Sequence, residues 1–141
     1  MALISSKGTS KPTQGAQGQS PLILVVDDDD DSLTLISYVL EQLACPACFV
    51  ADGYGALVAA KCYQPSLILT DIHLPQMDGF NIIRQLRSDR ETSGIPIVAV
   101  TALVSKDDQV KISNAGFDGY ISKPFFIEAL EETVCRFLRL T

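Results

Sequence analysis

Two hydrophobic patterns alternate along the chain. Short continuous apolar runs, typical of strands covered on both faces, occur at 22–26, 67–70 and 95–100. Two weaker strands are predicted near 47–51 and 119–122. The segments between them carry apolar residues at helical spacing, which indicates amphipathic helices. The chain therefore alternates between buried strands and surface helices.

The helical segments show their periodicity in particular apolar positions. Three helices show it most clearly. Their apolar positions are Leu33, Ile36, Val39, Leu40 and Leu43 in one, Phe80, Ile83 and Leu86 in another, and Ile127, Leu130, Val134 and Phe137 in the last. After Gly53, alanines predict a closely packed helix. Ser105 with Asp108 resembles a capping arrangement before a further helix that Gly116 would end.

Five strands alternating with five helices predict an α/β fold with a doubly wound, five-stranded parallel sheet. The flavodoxin-like strand order 2-1-3-4-5 suits this count, although periodicity alone does not establish it. Residues 1–20 are rich in Ser, Gly, Gln, Thr and Lys and predict a flexible N-terminal tail. Residues 21–141 then form one domain.

Polar residues follow the predicted strands at the point where each strand ends. Asp27 and Asp28 come after the first strand, and Asp71 comes after the third. The fourth strand ends at Thr101, and the fifth leads directly to Lys123. Because the carboxyl ends of parallel strands share one edge, where such sheets bind ligands, we expect these side chains to converge.

Three neighbouring carboxylates raise one another's pKa values unless a cation lies among them. Mg²⁺ suits such a group, since it accepts a few carboxylates while retaining waters and a phosphate oxygen. Asp71 can then act as a nucleophile toward a phosphoryl donor and form an acyl phosphate. Lys123 and Thr101 are suited to binding the new phosphoryl oxygens. The set predicts Mg²⁺-dependent phosphoryl acceptance.

Several short motifs occur in order at these strand ends. They are VVDD at 25–28, TD at 70–71 with Pro75, MDG at 77–79, VTA at 100–102, GY at 119–120 and KPF at 123–125. Together they resemble the receiver domain of response regulators in two-component signalling, in a single-domain form similar to chemotaxis regulators. The resemblance covers essentially residues 22–140.

The resemblance implies a role for each site residue. Asp71 would be the phosphoacceptor, and Asp27, Asp28 and Asp71 would hold Mg²⁺ together with the backbone carbonyl of His73. Thr101 and Lys123 would complete the catalytic group around Asp71. His73 and Leu103, two residues after Asp71 and Thr101, depart from common patterns at positions that modulate how water reaches the acyl phosphate.

The resemblance also implies a switch and its partners. Phosphorylation would draw the Thr101 hydroxyl inward, with Tyr120 following, and so change the face formed by the fourth helix, fifth strand and fifth helix. A sensor histidine kinase or histidine phosphotransfer protein would donate the phosphoryl group. A downstream protein target, or a second copy in a homodimer, would bind the changed face. The Lys123–Pro124 bond is typically cis in similar proteins.

Composition narrows the partners and the location. Apolar residues make up 47% and charged residues 20%, as in globular proteins, and the net charge of −6 argues against direct nucleic-acid binding. No apolar run approaches the roughly 20 residues of a membrane span, and the N-terminus lacks a signal-peptide core, so we predict a cytoplasmic protein. The sequence stops after its fifth helix, so we expect no output domain.

Two motif-like clusters have simpler interpretations. Cys45 and Cys48 have redox or zinc spacing, but nothing completes a zinc site, and we expect packing thiols. An EF-hand starting at Asp27 is excluded because Ser32 replaces the required glycine and Tyr38 the required glutamate. Asp29, Asp30 and Asp31 are interpreted as a solvated cluster at a helix N-terminus.

Three functions are compatible with the residues. The first is a phosphorylation-controlled signalling module that is not an enzyme but catalyses its own phosphorylation and slow dephosphorylation. The second is a constitutive binding module whose site is formed but unused. The third is a Mg²⁺-dependent phosphohydrolase, which commonly needs an acid where this chain has His73. The complete set of chemical residues favours the first.

Overall fold

The computed structural model describes residues 21–102 and 105–139. The predicted tail at 1–20 and Leu103 lie outside these residues. The described elements, in chain order, are β1 (Ile23–Val26), α1 (Asp30–Gln42), β2 (Ala47–Val50), α2 (Gly53–Tyr63), β3 (Leu67–Thr70), α3 (Gly79–Ser88), β4 (Ile97–Thr101), α4 (Lys106–Ala115), β5 (Gly119–Ser122) and α5 (Ile127–Leu138).

The predicted sheet is confirmed in both direction and order. All strand pairs are parallel, and the order is β2-β1-β3-β4-β5. Val26 at the end of β1 lies opposite both Val50 and Thr70. Thr101 at the end of β4 lies opposite Ser122. The strand ends are therefore level, and the residues that follow them reach the same edge.

The strands β1, β3 and β4 are buried at every residue because helices cover both faces of the sheet. Ile23 and Val25 contribute to a buried cluster with α1 and α5. Leu24 and Val26 point to the opposite face and join a second cluster with α2, α3 and α4. β3, the central strand, is buried at every residue. Continuous hydrophobic runs are the expected signature of this arrangement.

β4 begins two residues later than predicted, at Ile97 rather than residue 95. Pro96 has no N–H to give to a ladder, and the Ile95 N–H donates to the carbonyl of Thr92 in a turn. Pro96 therefore joins β3 only through its carbonyl, which accepts the Ile68 N–H at 2.9 Å, and the strand itself begins at Ile97.

The last three residues of the acidic run after β1 lie at the start of α1. The Asp29 carboxylate caps α1 by accepting a hydrogen bond from the Ser32 N–H at 2.9 Å, which lowers the pKa of Asp29. Asp30 and Asp31 lie in the first turn of α1, where the helix dipole favours negative charge. All three residues are exposed at the N-terminus of α1, as expected, and the capping bond of Asp29 is an addition from the structure.

The predicted capping box before α4 is confirmed. Ser105 and Asp108 each bond the other's backbone N–H, and the helix ends at Gly116 with a φ of 104°. Both signals were visible in the sequence because capping depends on residues only three positions apart.

One guanidinium group links chain segments at the end of the sheet where the strands begin. Arg87, in the last turn of α3, donates to the carbonyls of Ile95 and Gly116 and forms an ion pair with Asp118 at 2.8 Å. The same Asp118 oxygen accepts the Ile97 N–H at 2.8 Å. These contacts join the segments that lead into β4 and β5.

Within the described part of the chain, no helix is long and apolar enough to cross a membrane.

We predict that Ile68→Ala lowers the free energy of unfolding by about 2–5 kcal/mol, because it opens a cavity beneath the central strand. Ile68 is 0% exposed. Val58, on the outer face of α2, is 64% exposed. Val58→Ala serves as the control and should change stability by no more than about 0.5 kcal/mol. Urea unfolding followed by circular dichroism measures both; equal losses would contradict the core assignment.

Candidate functional site

The site begins at the carboxyl ends of β1 and β3. Asp27 is 1% exposed and Asp71 is 8% exposed. The Asp27 N–H donates to the carbonyl of Val50 at 3.1 Å, and the Asp71 N–H donates to that of Val26 at 2.9 Å. The sheet ladder thus continues one residue beyond the strands, which fixes the backbone of both aspartates side by side.

Asp28 completes a cluster of three carboxylates. Ligand oxygens of Asp27, Asp28 and Asp71 all lie within 4.8 Å of one another. Asp28 is exposed, so the cluster is open to solvent on one side. Hard carboxylate oxygens in this number fit a hard divalent cation such as Mg²⁺, with water and substrate oxygens completing its sphere. The cluster could therefore hold a metal ion.

Lys123 bridges two of the carboxylates. Its Nζ donates to Asp27 Oδ2 and to Asp71 Oδ2, each at 2.9 Å, and its side chain is 18% exposed. The Lys123 N–H donates to the carbonyl of Thr101 at 2.9 Å, which extends the β4–β5 ladder. The lysine therefore reaches the aspartates from the far side of β4.

The electrostatics of the site follow from burial and this pairing. Burial raises the pKa of Asp27 above its usual range, and the hydrogen bonds from Lys123 and from the Asp29 N–H offset only part of that rise. Burial alone would lower the pKa of Lys123, but hydrogen bonds to Asp27 and Asp71 raise it overall. One ammonium group faces three carboxyl groups, so negative charge is in excess when all are ionised.

The other predicted site residues lie at the same edge or close to it. Thr101 is 0% exposed at the end of β4. Tyr120, on β5, is 40% exposed. His73 is exposed, and its N–H donates to Asp71 Oδ1 at 3.2 Å. The structure thus brings Asp27, Asp71 and Lys123 into contact, while the roles of Thr101, Tyr120 and the His73 carbonyl stay predictions.

The Lys123–Pro124 peptide bond is cis, as expected.

The cysteines take no part in this site. Cys45 is buried and Cys48 half-buried, and all four cysteines are free thiols. Burial raises the pKa of Cys45 and that of Cys48, which disfavours the reactive thiolate form. This agrees with packing thiols.

In the sequence, Gly79 stands out only as the last residue of the MDG motif at 77–79. The structure shows that a Cβ on Gly79 would lie 2.8 Å from the carbonyl oxygen of Asp71 and from the Cα of Ile72. Glycine is required here because α3 starts in contact with the backbone of the site. The glycine itself was visible in the sequence, but the contact depends on how the loop folds back.

A doubly wound parallel sheet with clustered carboxylates and a bridging lysine at its carboxyl edge defines a class of α/β domain with an acidic, metal-competent site. Comparison with known proteins identifies the class more closely. A family model described as the response regulator receiver domain matches residues 23–135. The chain belongs to the response regulator receiver domain family of two-component signalling.

Similar proteins and structures agree with this assignment. The chain is 36% identical over 121 residues to the DNA-binding dual master transcriptional regulator RpaA of Synechocystis. The match covers 86% of this chain but only 50% of RpaA. The chain thus spans about half the length of that relative. It is 33% identical over 116 residues to the polar-differentiation response regulator DivK of Brucella ovis, covering 82% of this chain and 94% of DivK.

Among solved structures, the receiver domain of sensor histidine kinase PA1611 from Pseudomonas aeruginosa is 30% identical, with a TM-score of 0.79 over 86% of this chain and 99% of that one. That structure has a magnesium ion coordinated in its active site cleft. The chemotaxis response regulator CheY4 of Vibrio cholerae is 27% identical, with a TM-score of 0.79 over 84% and 99%.

One prediction is wrong, namely that the domain is not an enzyme but catalyses its own phosphorylation and slow dephosphorylation. The match assigns a receiver domain and carries no self-catalysed reaction with it. The assignment is therefore limited to the receiver domain.

We predict that Asp28→Asn weakens Mg²⁺ binding by about tenfold or more, because an amide oxygen carries no net charge to offset the cation. Isothermal titration calorimetry measures the affinity. Asp107, an exposed residue in the first turn of α4, offers a charge-matched control. Asp107→Asn should bind Mg²⁺ like the wild type; an equal loss in both variants would point to bulk charge and contradict a local site.

In EDTA at pH 7, Asp27→Asn should raise the free energy of unfolding by about 1–2 kcal/mol, because it removes a carboxylate whose burial is only partly offset by its hydrogen bonds, while the amide oxygen can still accept from Lys123. The raised pKa of Asp27 means that the wild type loses stability as pH rises through that pKa. The gain should therefore shrink as pH falls below it. Urea unfolding at several pH values measures this, and a less stable variant at pH 7 would contradict it.

Proposed function

We propose that this domain is a phosphorylation-dependent switch of a two-component phosphorelay, in which Asp71 accepts a phosphoryl group from a phosphohistidine in a Mg²⁺-dependent reaction. The observation that carries the proposal is the double hydrogen bond of Lys123, 2.9 Å from both Asp27 and Asp71. The Lys123 ammonium group thus contacts an oxygen of the carboxylate that we propose as the acceptor. The donor is a sensor histidine kinase or a histidine phosphotransfer protein.

Each residue has a defined part in the transfer. A carboxylate oxygen of Asp71 forms the new O–P bond while the P–N bond of the donor breaks and its electron pair returns to the imidazole nitrogen. The His73 N–H at 3.2 Å from Oδ1 and the Lys123 ammonium at 2.9 Å from Oδ2 orient the nucleophile. We assign Lys123 a second role, in which it donates hydrogen bonds to the incoming phosphoryl oxygens.

Asp27, Asp28 and Asp71, with the backbone carbonyl of His73, are the proposed Mg²⁺ ligands. When bound, Mg²⁺ neutralises the excess carboxylate charge and the charge on the phosphoryl oxygens. The raised pKa of Asp27 supports this, since it reports a buried carboxylate whose charge the protein alone leaves incompletely compensated. The closeness of the three ligand oxygens supports it independently.

The output of the switch is a changed partner-binding face on α4, β5 and α5. We assign Thr101 and Tyr120 to the coupling: the buried Thr101 hydroxyl moves toward the phosphoryl group, and the half-exposed Tyr120 follows it. Val110 on α4 and Phe126 before α5 are 57% and 78% exposed, which suits a surface that binds a downstream protein or a second copy. The cytoplasmic location and the absence of direct nucleic-acid binding stay predictions.

Incubation with phosphoramidate, whose P–N bond resembles that of phosphohistidine, tests the acceptor. We expect intact-mass analysis to show one added phosphoryl group on the wild type with Mg²⁺ and none in EDTA. Asp71→Asn should gain nothing, because an amide is a poor nucleophile, while Asp107→Asn should behave like the wild type. An adduct on Asp71→Asn would mean that another residue accepts the group. Absence of any adduct, with rapid hydrolysis ruled out by trapping, would favour a constitutive binding module.

A further inference from the structure

The loop from Ile72 to Asp78 carries the proposed site on one side and packs against the core on the other. At its start, the His73 N–H donates to Asp71 Oδ1 at 3.2 Å. At its end, the Gly79 N–H donates to the carbonyl of Ile72 at 2.8 Å, which closes the loop on itself. Any displacement of the loop therefore moves the group that orients the Asp71 carboxylate.

Met77 is the buried anchor of the second half of this loop. It is 7% exposed and belongs to the core cluster on the α2 and α3 side of the sheet, whereas Pro75, Gln76 and Asp78 are exposed. Its Sδ accepts a weak hydrogen bond from Gln85 Nε2 at 3.9 Å. The preceding residue, Gln76, has a φ of 70°, in the left-handed region that non-glycine residues rarely adopt. A conformation of this kind persists only where the surrounding structure holds it, and the buried Met77 is the next residue.

The space for Met77 depends on the first residue of α2. A Cβ on Gly53 would lie 2.9 Å from Met77 Cβ, 3.0 Å from its Sδ and 3.1 Å from its Cγ. These distances are too short for carbon and sulfur atoms in contact. Alanine has a better helix propensity than glycine, so local preference does not explain this glycine. The close approach of the Met77 side chain does.

We propose that Met77 is a positioning residue: by filling the space beside Gly53 it fixes the loop after Asp71 and, through the His73 N–H, the orientation of the Asp71 carboxylate. The contacts form a continuous path from Gly53 through Met77 to the loop backbone and then to Asp71. The geometric part of this inference is independent of phosphorylation. Its consequence for Mg²⁺ affinity rests on the function proposed above.

Hydrogen exchange of the His73 amide in the metal-free protein tests the geometric part. Gly53→Ala pushes Met77 out of its place, and we expect the amide to exchange at least about fivefold faster, as its hydrogen bond opens more often. Gly94→Ala is the matched control, because a Cβ there meets nothing within 4 Å. It should leave the His73 rate unchanged.

Mg²⁺ affinity, measured by calorimetry, tests the consequence. Met77→Ala should weaken binding at least about fivefold, as loss of a residue that orients metal ligands commonly does. Met77→Leu, which conserves volume, should restore the affinity to within about twofold. Leu86→Ala removes a residue 2% exposed in the same cluster but at the far end of α3, so it should cost stability while leaving the affinity unchanged.

The outcomes distinguish the positioning role of Met77 from the proposed function of the domain. If Gly53→Ala leaves the His73 amide rate as in Gly94→Ala, the positioning role is overturned, whatever the metal results are. If Met77→Ala and Leu86→Ala weaken Mg²⁺ binding equally, Met77 acts through stability alone and the role is also overturned. If the wild type binds no Mg²⁺ while Gly53→Ala still accelerates exchange, the proposed function fails and the positioning role of Met77 stands.

Discussion

The two hydrogen bonds of the Lys123 ammonium group hold the candidate site together. Asp27 and Asp71 are fixed side by side because β1 and β3 are parallel neighbours in register, and Asp28 adds a third carboxyl group next to them. Without a cation between them these groups would repel one another in a partly buried position. Lys123 supplies one positive charge against three carboxyl groups, so part of the negative charge stays uncompensated. The arrangement is thus stable enough to fold and still suited to binding a divalent cation.

The two edges of the sheet differ in how completely their charges are compensated. At the edge where β4 and β5 begin, Arg87 is bonded to Ile95, Gly116 and Asp118, and Asp118 in turn accepts the Ile97 N–H. At the carboxyl edge, negative charge is in excess and Asp28 is open to solvent. The first edge joins chain segments, whereas the second can bind a ligand. This contrast agrees with a candidate site at the carboxyl edge.

Local patterns predicted most of the fold. The continuous apolar runs predicted a sheet covered on both faces, and the Ser105 and Asp108 capping box predicted the start of α4. The start of β4 was missed by two residues, because an apolar run does not show that Ile95 lies in a turn with Thr92 and that the strand begins only after Pro96. The separation of Asp27 at the strand end from the solvated residues Asp29 to Asp31 was also predicted from sequence order. Each of these features depends on residues a few positions apart.

The residue types at the strand ends can be read from the chain alone, which predicts that Asp27, Asp28, Asp71, Thr101 and Lys123 meet if the strands are parallel. Their contacts come from the folded domain: Lys123 bridges Asp27 and Asp71, Gly79 lies against the backbone of the site, and Met77 occupies the space beside Gly53. The physical reason is distance along the chain. Helical and strand periodicity record local constraints, whereas these contacts join residues 24 to 96 positions apart or depend on how a loop folds back, and only packing of the whole domain specifies them.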